Sequence, residues 1–278
     1  MVKADRGKQS MTSERYWILT DLDGTLMDHN YSIKPAMETL NWIQTKRIPI
    51  IPCTSKTAAE VRLFRKQIGI SDPYIVENGG AVYGENEQTH ETWEVPLGRT
   101  HNELRPLLDK LGERLGFPLK AFEDLPEIEI TNITGLKGEA MKQAVERQWS
   151  VPFLNPPPEQ LMRVKQLASD LELLVLQGNR MSHLLDKKCH KGKAVNRLKT
   201  LMGEPNVKII ALGDSPNDKP LLEVADFPIV VPGGQGPHPC FHKELQTGEF
   251  KLAPAAHGEG WAKAVRMTLA KITTESLV

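Results

Sequence analysis

Two acids two residues apart, in Asp21-Leu22-Asp23-Gly24-Thr25, follow directly on the apolar run Tyr16–Leu19. In an extended chain, period-2 geometry sends both carboxylates one way and Leu22 the other way into a core. Such a pair can hold a metal and attack phosphorus. The carboxyl end of a parallel strand is also where open α/β sheets put their ligands. Asp-x-Asp-Gly by itself is equally a surface turn. A second stretch bears on that choice: Ala211-Leu212-Gly213-Asp214-Ser215-Pro216-Asn217-Asp218 again ends an apolar run in glycine and an acid. With Pro216 in a first helical turn, Asp214 and Asp218 face one point; the alternative is a capped helix start. Two strand ends of this kind supply the hard oxygen ligands that Mg²⁺ prefers alongside phosphate and water.

Weaker signals accompany these acids. Thr54, in Pro52-Cys53-Thr54-Ser55-Lys56, ends another apolar run. Its hydroxyl and the helix-start amides beyond it suit a phosphate oxygen, or simply cap the helix. Lys191, in His190-Lys191-Gly192-Lys193, precedes a helix and could neutralise the same phosphate, or be solvated surface. Cys53 has no nearby base, which argues against a cysteine nucleophile.

The elements that must position these residues alternate. Strands are expected at Tyr16–Thr20, Ile48–Thr54, Tyr74–Glu77, Val207–Leu212 and Phe227–Val231. Helices are expected at Lys34–Lys46, Thr57–Ile68, Gly192–Leu201, Pro216–Val224 and Gly260–Lys271. This pattern implies an α/β fold, a Rossmann-like parallel sheet core with helices on both faces. Between the halves, Ala81–Val95 reads as a hairpin turning at Gly84–Asn86. Thr100–Leu115, Lys137–Gln148 and Glu159–Leu171 then read as helices, with strands near Ile128–Thr131, Val151–Leu154 and Leu173–Leu176. Residues 15–95 and 188–278 are therefore expected to form the core, with 96–187 as an inserted α+β domain.

Of 278 residues, 40% are hydrophobic and 25% charged, an ordinary globular balance. Lys+Arg and Asp+Glu are equal at 35 each, so nothing global points to nucleic acid. The three cysteines lack metal spacing and suggest a reducing compartment. Met1–Glu14 is polar and reads as a loose leader without the apolar core of a signal peptide. No apolar run approaches the ~18 residues needed to cross a bilayer. A cytoplasmic location is expected, with no membrane and no nucleic-acid partner.

The order Asp-x-Asp, Thr, Lys, Gly-Asp-x-x-Asn-Asp resembles the haloacid dehalogenase superfamily of phosphohydrolases. The insert, between the Thr and Lys motifs, looks like the α/β cap of its sugar-phosphatase branch. Over about Tyr16 to Lys271 the chain resembles the mannosyl-3-phosphoglycerate phosphatase group. Thr54-Ser55-Lys56-Thr57, Val76-Glu77-Asn78-Gly79-Gly80 and Gly178-Asn179-Arg180 running to His183 carry that likeness, with Lys191–Val195, Gly213–Asp218 and His257–Trp261.

The resemblance implies roles. Asp21 would be the nucleophile, forming an aspartyl-phosphate, and Asp23 would protonate the departing alkoxide and then activate water. Mg²⁺ would be held by the Asp21 and Asp214 carboxylates and the Asp23 carbonyl. Thr54 and Lys191 would steady the phosphoryl group, while Asn217 and Asp218 orient Lys191 or the metal's waters. Asp23 favours a phosphatase or phosphomutase over dehalogenases, which expel halide without a proton, and over ion pumps, which carry Thr there.

The substrate would be a small phosphorylated sugar, bound by Lys56, Glu77, Asn78, Arg147, Arg180 and His183. Arginine is the natural bidentate partner of a glycerate carboxylate. Glu77 and Asn78 either bond sugar hydroxyls or hold the hinge. The family often has acids just after the arginine, whereas Gln148-Trp149-Ser150 follows Arg147, which leaves the sugar's identity open. Trp261 stacks on a sugar or packs in the core. The expected activity is Mg²⁺-dependent hydrolysis of mannosyl-3-phosphoglycerate. The alternatives are glucosyl-3-phosphoglycerate or another phosphosugar, a phosphomannomutase-like isomerase, or a silent sensor, from which the retained acids argue away.

Overall fold

The computed structural model describes residues 14–275 apart from 87, 90, 179 and 180. The expected leader, save Glu14, and Arg180 lie outside the described residues. From the amino end come β1 (Tyr16–Thr20), α1 (Met37–Thr45), β2 (Ile50–Pro52), α2 (Ala58–Ile68), β3 (Tyr74–Val76) and a hairpin of β4 (Ala81–Glu85) and β5 (Thr92–Pro96). The insertion holds α3 (His101–Leu115), α4 (Glu127–Thr134), α5 (Gly138–Val145), β6 (Val151–Leu154), α6 (Pro158–Asp170), β7 (Leu173–Gln177) and β8 (Met181–Asp186). The chain returns through α7 (Lys191–Leu201), β9 (Lys208–Gly213), α8 (Lys219–Leu222), β10 (Phe227–Val230), α9 (His242–Thr247), β11 (Lys251–Leu252) and α10 (His257–Glu275).

The main sheet runs β11-β10-β9-β1-β2, all parallel, with Ile18 opposite both Ile50 and Ile210. Alternation along β1 divides the core. Ile18 joins Leu40, Val61 and Trp261 from α1, α2 and α10 on one face. Trp17 and Leu19 join Val195, Leu198 and Leu221 from α7 and α8 on the other. Strands covered on both faces must be apolar throughout, which is why β1 and β9 read as continuous hydrophobic runs. Thr57 caps α2 in a reciprocal box with Glu60, and Gly69 ends that helix at φ 70°.

β3 departs from the simple parallel expectation. It touches the main sheet through one parallel bridge, Cys53 to Ile75, and otherwise pairs antiparallel with β4. β4 also runs through Gly84 to Glu85, past the expected turn. There the ring of Trp93 on β5 occupies the space of the missing Gly84 Cβ. β11 and α9 were not expected.

The insertion is an α+β cap with an antiparallel sheet of order β6-β8-β7. Leu104, Leu108 and Leu111 of α3 pack with Val164 and Ala168 of α6 against Phe153 and Leu184. The strand expected near Ile128–Thr131 is instead the helix α4. Its β-branched residues suggest a strand, but the end signals prevail. Pro126 precedes it, Glu127 and Glu129 occupy its first turn, and Gly135 caps it at φ 76°. Ile130 alone is buried in it, whereas Ile128 is 70% exposed.

Candidate active site

β1 delivers Asp21 to the carboxyl edge of the sheet, where its backbone N–H donates to Leu212 O at 3.0 Å. Leu22 is fully buried, and both Asp21 and Asp23 line a cleft of about 290 Å³ between core and cap. Gly24 turns the chain at φ 88°, and a Cβ there would lie 2.5 Å from Asp214 Oδ2. Only glycine lets the two strand ends approach this closely.

Acidic oxygens of Asp21, Asp214 and Asp218 converge within 4.8 Å of one another. Lys191 enters beneath them, with Nζ 2.7 Å from Asp21 Oδ1 and 2.5 Å from Asp218 Oδ1. The other Asp218 oxygen accepts from the Asp214 and Ser215 amides at 3.0 Å each. Asp218 is thus spent on its neighbours. Asp214 Oδ1 accepts from Thr25 Oγ1 at 2.8 Å.

One lysine does not balance three clustered acids, of which Asp21 and Asp218 are buried and Asp214 partly so. Burial pushes Asp21 up to about 7; Lys191 pulls it back and Asp218 adds to the rise. Burial, then Asp218 and Asp21, also hold Asp214 well above the usual carboxylate range. Lys191 is held above its ordinary value: burial would lower it, but Asp21 and Asp218 prevail. Such an anionic cluster of hard oxygens, short of positive charge, fits a divalent cation such as Mg²⁺. Asp21 and Asp214 are the carboxylates with an oxygen to offer it.

Asp23 faces a different partner. Its Oδ2 lies 2.9 Å from Lys56 Nζ, while its Oδ1 is buried without a partner among the described residues. Lys56 also meets Glu60 Oε1 at 3.2 Å and sits 4.9 Å over the Tyr31 ring. Glu60 and Tyr31 were missed from sequence. The Thr57-x-x-Glu60 capping box signals Glu60 locally, but nothing local signals Tyr31.

The remaining expected residues divide. Thr54 is fully buried at the end of β2, its hydroxyl accepting from the Lys56 amide at 3.2 Å. Asn78 and Asn217 reach the cleft together, joined from Asn217 Nδ2 to Asn78 Oδ1 at 2.8 Å, and Asn78 Nδ2 is buried without a partner among the described residues. Arg147 enters from the cap and donates to Ser55 O at 2.6 Å. His183 lines the cleft from β8, its buried Nδ1 without a partner among the described residues, and burial pulls it down to about 3. Glu77 turns away from the cleft toward the cap segment that follows Arg147. Trp261 is fully buried and donates to Thr20 Oγ1 at 2.9 Å, so it packs and does not stack on a ligand. Cys53 is buried too, and burial pushes its thiol up to about 12, as expected of a residue that is no nucleophile.

This constellation has known counterparts. The chain matches the haloacid dehalogenase-like hydrolase family over residues 18–113 and 157–235. The glucosyl-3-phosphoglycerate/mannosyl-3-phosphoglycerate phosphatase of Persephonella marina is 36% identical over 228 residues, 77% of this chain and 84% of that one. Its namesake from Methanococcoides burtonii is 31% identical over 271 residues, 92% and 98% of the two chains. Among solved structures, the sucrose-phosphatase of Synechocystis, in complex with sucrose and phosphate, shares the fold. Its TM-score is 0.62 at 16% identity, covering 93% of this chain and 98% of that one. A haloacid dehalogenase-like hydrolase from Bacteroides thetaiotaomicron aligns with TM-score 0.66 at 16% identity, covering 92% and 100%. With the acids at two strand ends, the inserted cap and these relatives in agreement, the chain belongs to the haloacid dehalogenase-like hydrolases, as a phosphoric monoester hydrolase.

Proposed function

We propose that this enzyme is a Mg²⁺-dependent phosphatase of glycosyl-3-phosphoglycerates, converting mannosyl-3-phosphoglycerate to mannosylglycerate and phosphate. Glucosyl-3-phosphoglycerate is the near alternative. One observation carries the reading: Asp21 and Asp23 floor a cleft that Lys56 and Arg147 also line, so a phosphate and a second anionic group can be held together. The double name of the relatives supports the same substrate class.

In this reading Asp21 attacks phosphorus, and the bond from phosphorus to the glycerate oxygen breaks as an aspartyl-phosphate forms. Asp23 gives a proton to the departing alkoxide, then takes one from the water that cleaves the intermediate. Lys191 and Thr54 steady the phosphoryl oxygens, and the Asn78 amide, which has no partner among the described residues, offers them a further donor. Asp218 holds Lys191, and Asn217 holds Asn78. The Asp21 and Asp214 carboxylates and the Asp23 carbonyl would hold Mg²⁺, whose charge offsets that of the transferring phosphoryl group. Arg147 would meet the glycerate carboxylate, with Lys56 beside it, and neutral His183 a sugar hydroxyl. Arg180 remains a candidate for binding the same substrate.

We place the core at residues 15–95 and 188–278 and the cap at 96–187. A role in mannosylglycerate biosynthesis in the cytoplasm follows, in keeping with three unpaired cysteines and with no described helix long and apolar enough to cross a membrane. The test is phosphate release from a panel of phosphosugars and glycosyl phosphoglycerates, with and without Mg²⁺. Preferred, Mg²⁺-dependent release from the glycosyl-3-phosphoglycerates is expected. Transfer of phosphate back to sugar without bulk release would favour the phosphomutase alternative.

A further inference from the structure

Glu77 is a fully buried acid that faces away from the reacting groups. Its Oε1 accepts from the Gln148 amide at 2.9 Å, and its Oε2 from the Trp149 amide at 3.1 Å and Ser150 Oγ at 2.6 Å. Three donors from one stretch of the cap therefore converge on one carboxylate of the core. Hydrogen bonds to a buried charge are the strong kind, and each donor left without its acceptor would carry a desolvation cost.

The surroundings are built for this contact. Glu77 and Asn78 both hold the left-handed backbone, at φ 47° and 59°, in the turn that follows β3. Non-glycine residues persist there only when neighbours over-determine them. The Glu77 amide donates to Lys56 O at 3.0 Å and the Asn78 amide to Thr54 O at 2.9 Å. A Cβ on Gly80 would lie 2.3 Å from Trp149 Cβ, so glycine makes the socket for that tryptophan. Trp149 Nε1 then donates to Tyr83 OH at 3.0 Å, and Tyr83 OH to Gln148 Oε1 at 2.8 Å.

The residue just before this seated stretch is Arg147, whose guanidinium crosses to Ser55 O beside Lys56. One turn of the core thus touches the Thr54–Lys56 loop through its backbone and the cap through its carboxylate. We propose that Glu77 is a positioning residue for substrate selection: it seats cap residues 148–150 and thereby sets Arg147 in the cleft to meet the substrate's second anionic group. The selection half rests on the carboxylate reading of Arg147 given above; the seating half does not.

The experiment compares wild type, Glu77→Gln, Ser150→Ala and Arg147→Ala on mannosyl-3-phosphoglycerate and on p-nitrophenyl phosphate, which has no second anionic group. Amide exchange at Gln148 and Trp149 is followed in parallel. Glu77→Gln is expected to raise KM for the phosphoglycerate about tenfold, in line with one lost charged hydrogen bond. Its p-nitrophenyl phosphate kinetics should stay within about twofold, and the two amides should exchange at least about tenfold faster. Combined with Arg147→Ala, it should add nothing further to KM. Ser150→Ala should move KM the same way by less, and it decides alone if Glu77→Gln does not fold. Equal losses on both substrates would mark a merely structural role and overturn the proposal, as would unchanged protection of the two amides. A wild type indifferent to the glycerate carboxylate would sink the substrate reading. The seating of Arg147 by Glu77 then stands or falls on the exchange rates.

Discussion

Lys191 Nζ lies 2.5 Å from Asp218 Oδ1, and neither side chain reaches solvent. Asp218 is fixed in turn by the Asp214 and Ser215 amides, so the lysine is held from behind while its front meets Asp21. Truncating one member of a buried ion pair leaves an uncompensated charge and costs about 3–5 kcal/mol. Lys191→Met is therefore expected to lower unfolding free energy by about that amount in urea, and to abolish phosphate release. Asp218→Asn should be milder in stability, because Lys191 keeps Asp21. A Lys191→Met protein as stable as wild type would show that the lysine is not integral to the acid cluster.

Asp23 and Lys56, 2.9 Å apart, lead to a prediction about leaving groups. If Asp23 protonates the departing oxygen, a substrate whose leaving group needs no proton can still form the aspartyl-phosphate. The second step still needs Asp23 to activate water. Asp23→Asn with p-nitrophenyl phosphate should give a burst of about one nitrophenol per enzyme, then turnover slowed by about 10²–10⁴-fold. Alkyl phosphates should show no burst. Stopped-flow absorbance follows the nitrophenolate and quenched flow the released alcohol, and linear release of nitrophenol at the wild-type rate, with no burst, would remove Asp23 from the second step.

Asp21→Asn should lose at least about 10³-fold in activity while keeping its fold, since the nucleophile goes but Lys191 keeps Asp218. Circular dichroism beside phosphate release measures both. Full activity would end the aspartyl-phosphate mechanism.

The acids of this site are legible in sequence because strand geometry and spacing are local. Leu22 between Asp21 and Asp23, and Gly213 before Asp214, already say which way each side chain points. The parallel core is legible for the same reason, since strands buried on both faces cannot hide their apolar runs. What escapes is set by distant contacts. Glu77 reads either as a sugar ligand or as a hinge residue until Gln148, Trp149 and Ser150, more than seventy positions away, take its oxygens. Lys56 does line the cleft, but its pairing with Asp23 and Glu60 is invisible until the fold brings them beside it. Ile128–Thr131 misleads because its β-branched composition speaks more loudly than Pro126 and Gly135, which decide the helix.

The acid cluster sets a pH and metal dependence. Asp21 is raised from 3.8 to about 7, so the folded protein holds that proton more tightly than the unfolded chain does. Its contribution to stability is present below about pH 4 and is lost as pH rises through about 7. Mg²⁺ should restore it by binding the ionised pair and displacing protons. The melting temperature should rise on adding Mg²⁺, more at pH 8 than at pH 5, by an amount equivalent to about 2.7 kcal/mol at a hundredfold excess over Kd. Asp214→Asn should abolish the rise. An Asp214→Asn protein that still gains the full Mg²⁺ shift would move the metal elsewhere.

His183 predicts the opposite slope. Burial, with the Arg147 and Lys191 charges adding to it, lowers the imidazole from 6.5 to about 3. The unfolded chain therefore binds that proton more tightly, and stability present above about pH 6.5 is lost as pH falls toward 3. His183→Gln removes the titration and keeps a polar group on the cleft wall. The difference in melting temperature between wild type and variant should shift in the variant's favour as pH drops from 7 to 5. At pH 7, where both are neutral, the variant should show a raised KM for the glycosyl substrate and unchanged p-nitrophenyl phosphate hydrolysis, because His183 faces the cleft from β8 and not the acids on the floor. Parallel melting curves would mean that His183 is as free to take up a proton in the fold as in the unfolded chain, and its Nδ1, without a partner among the described residues, would then be reached by water.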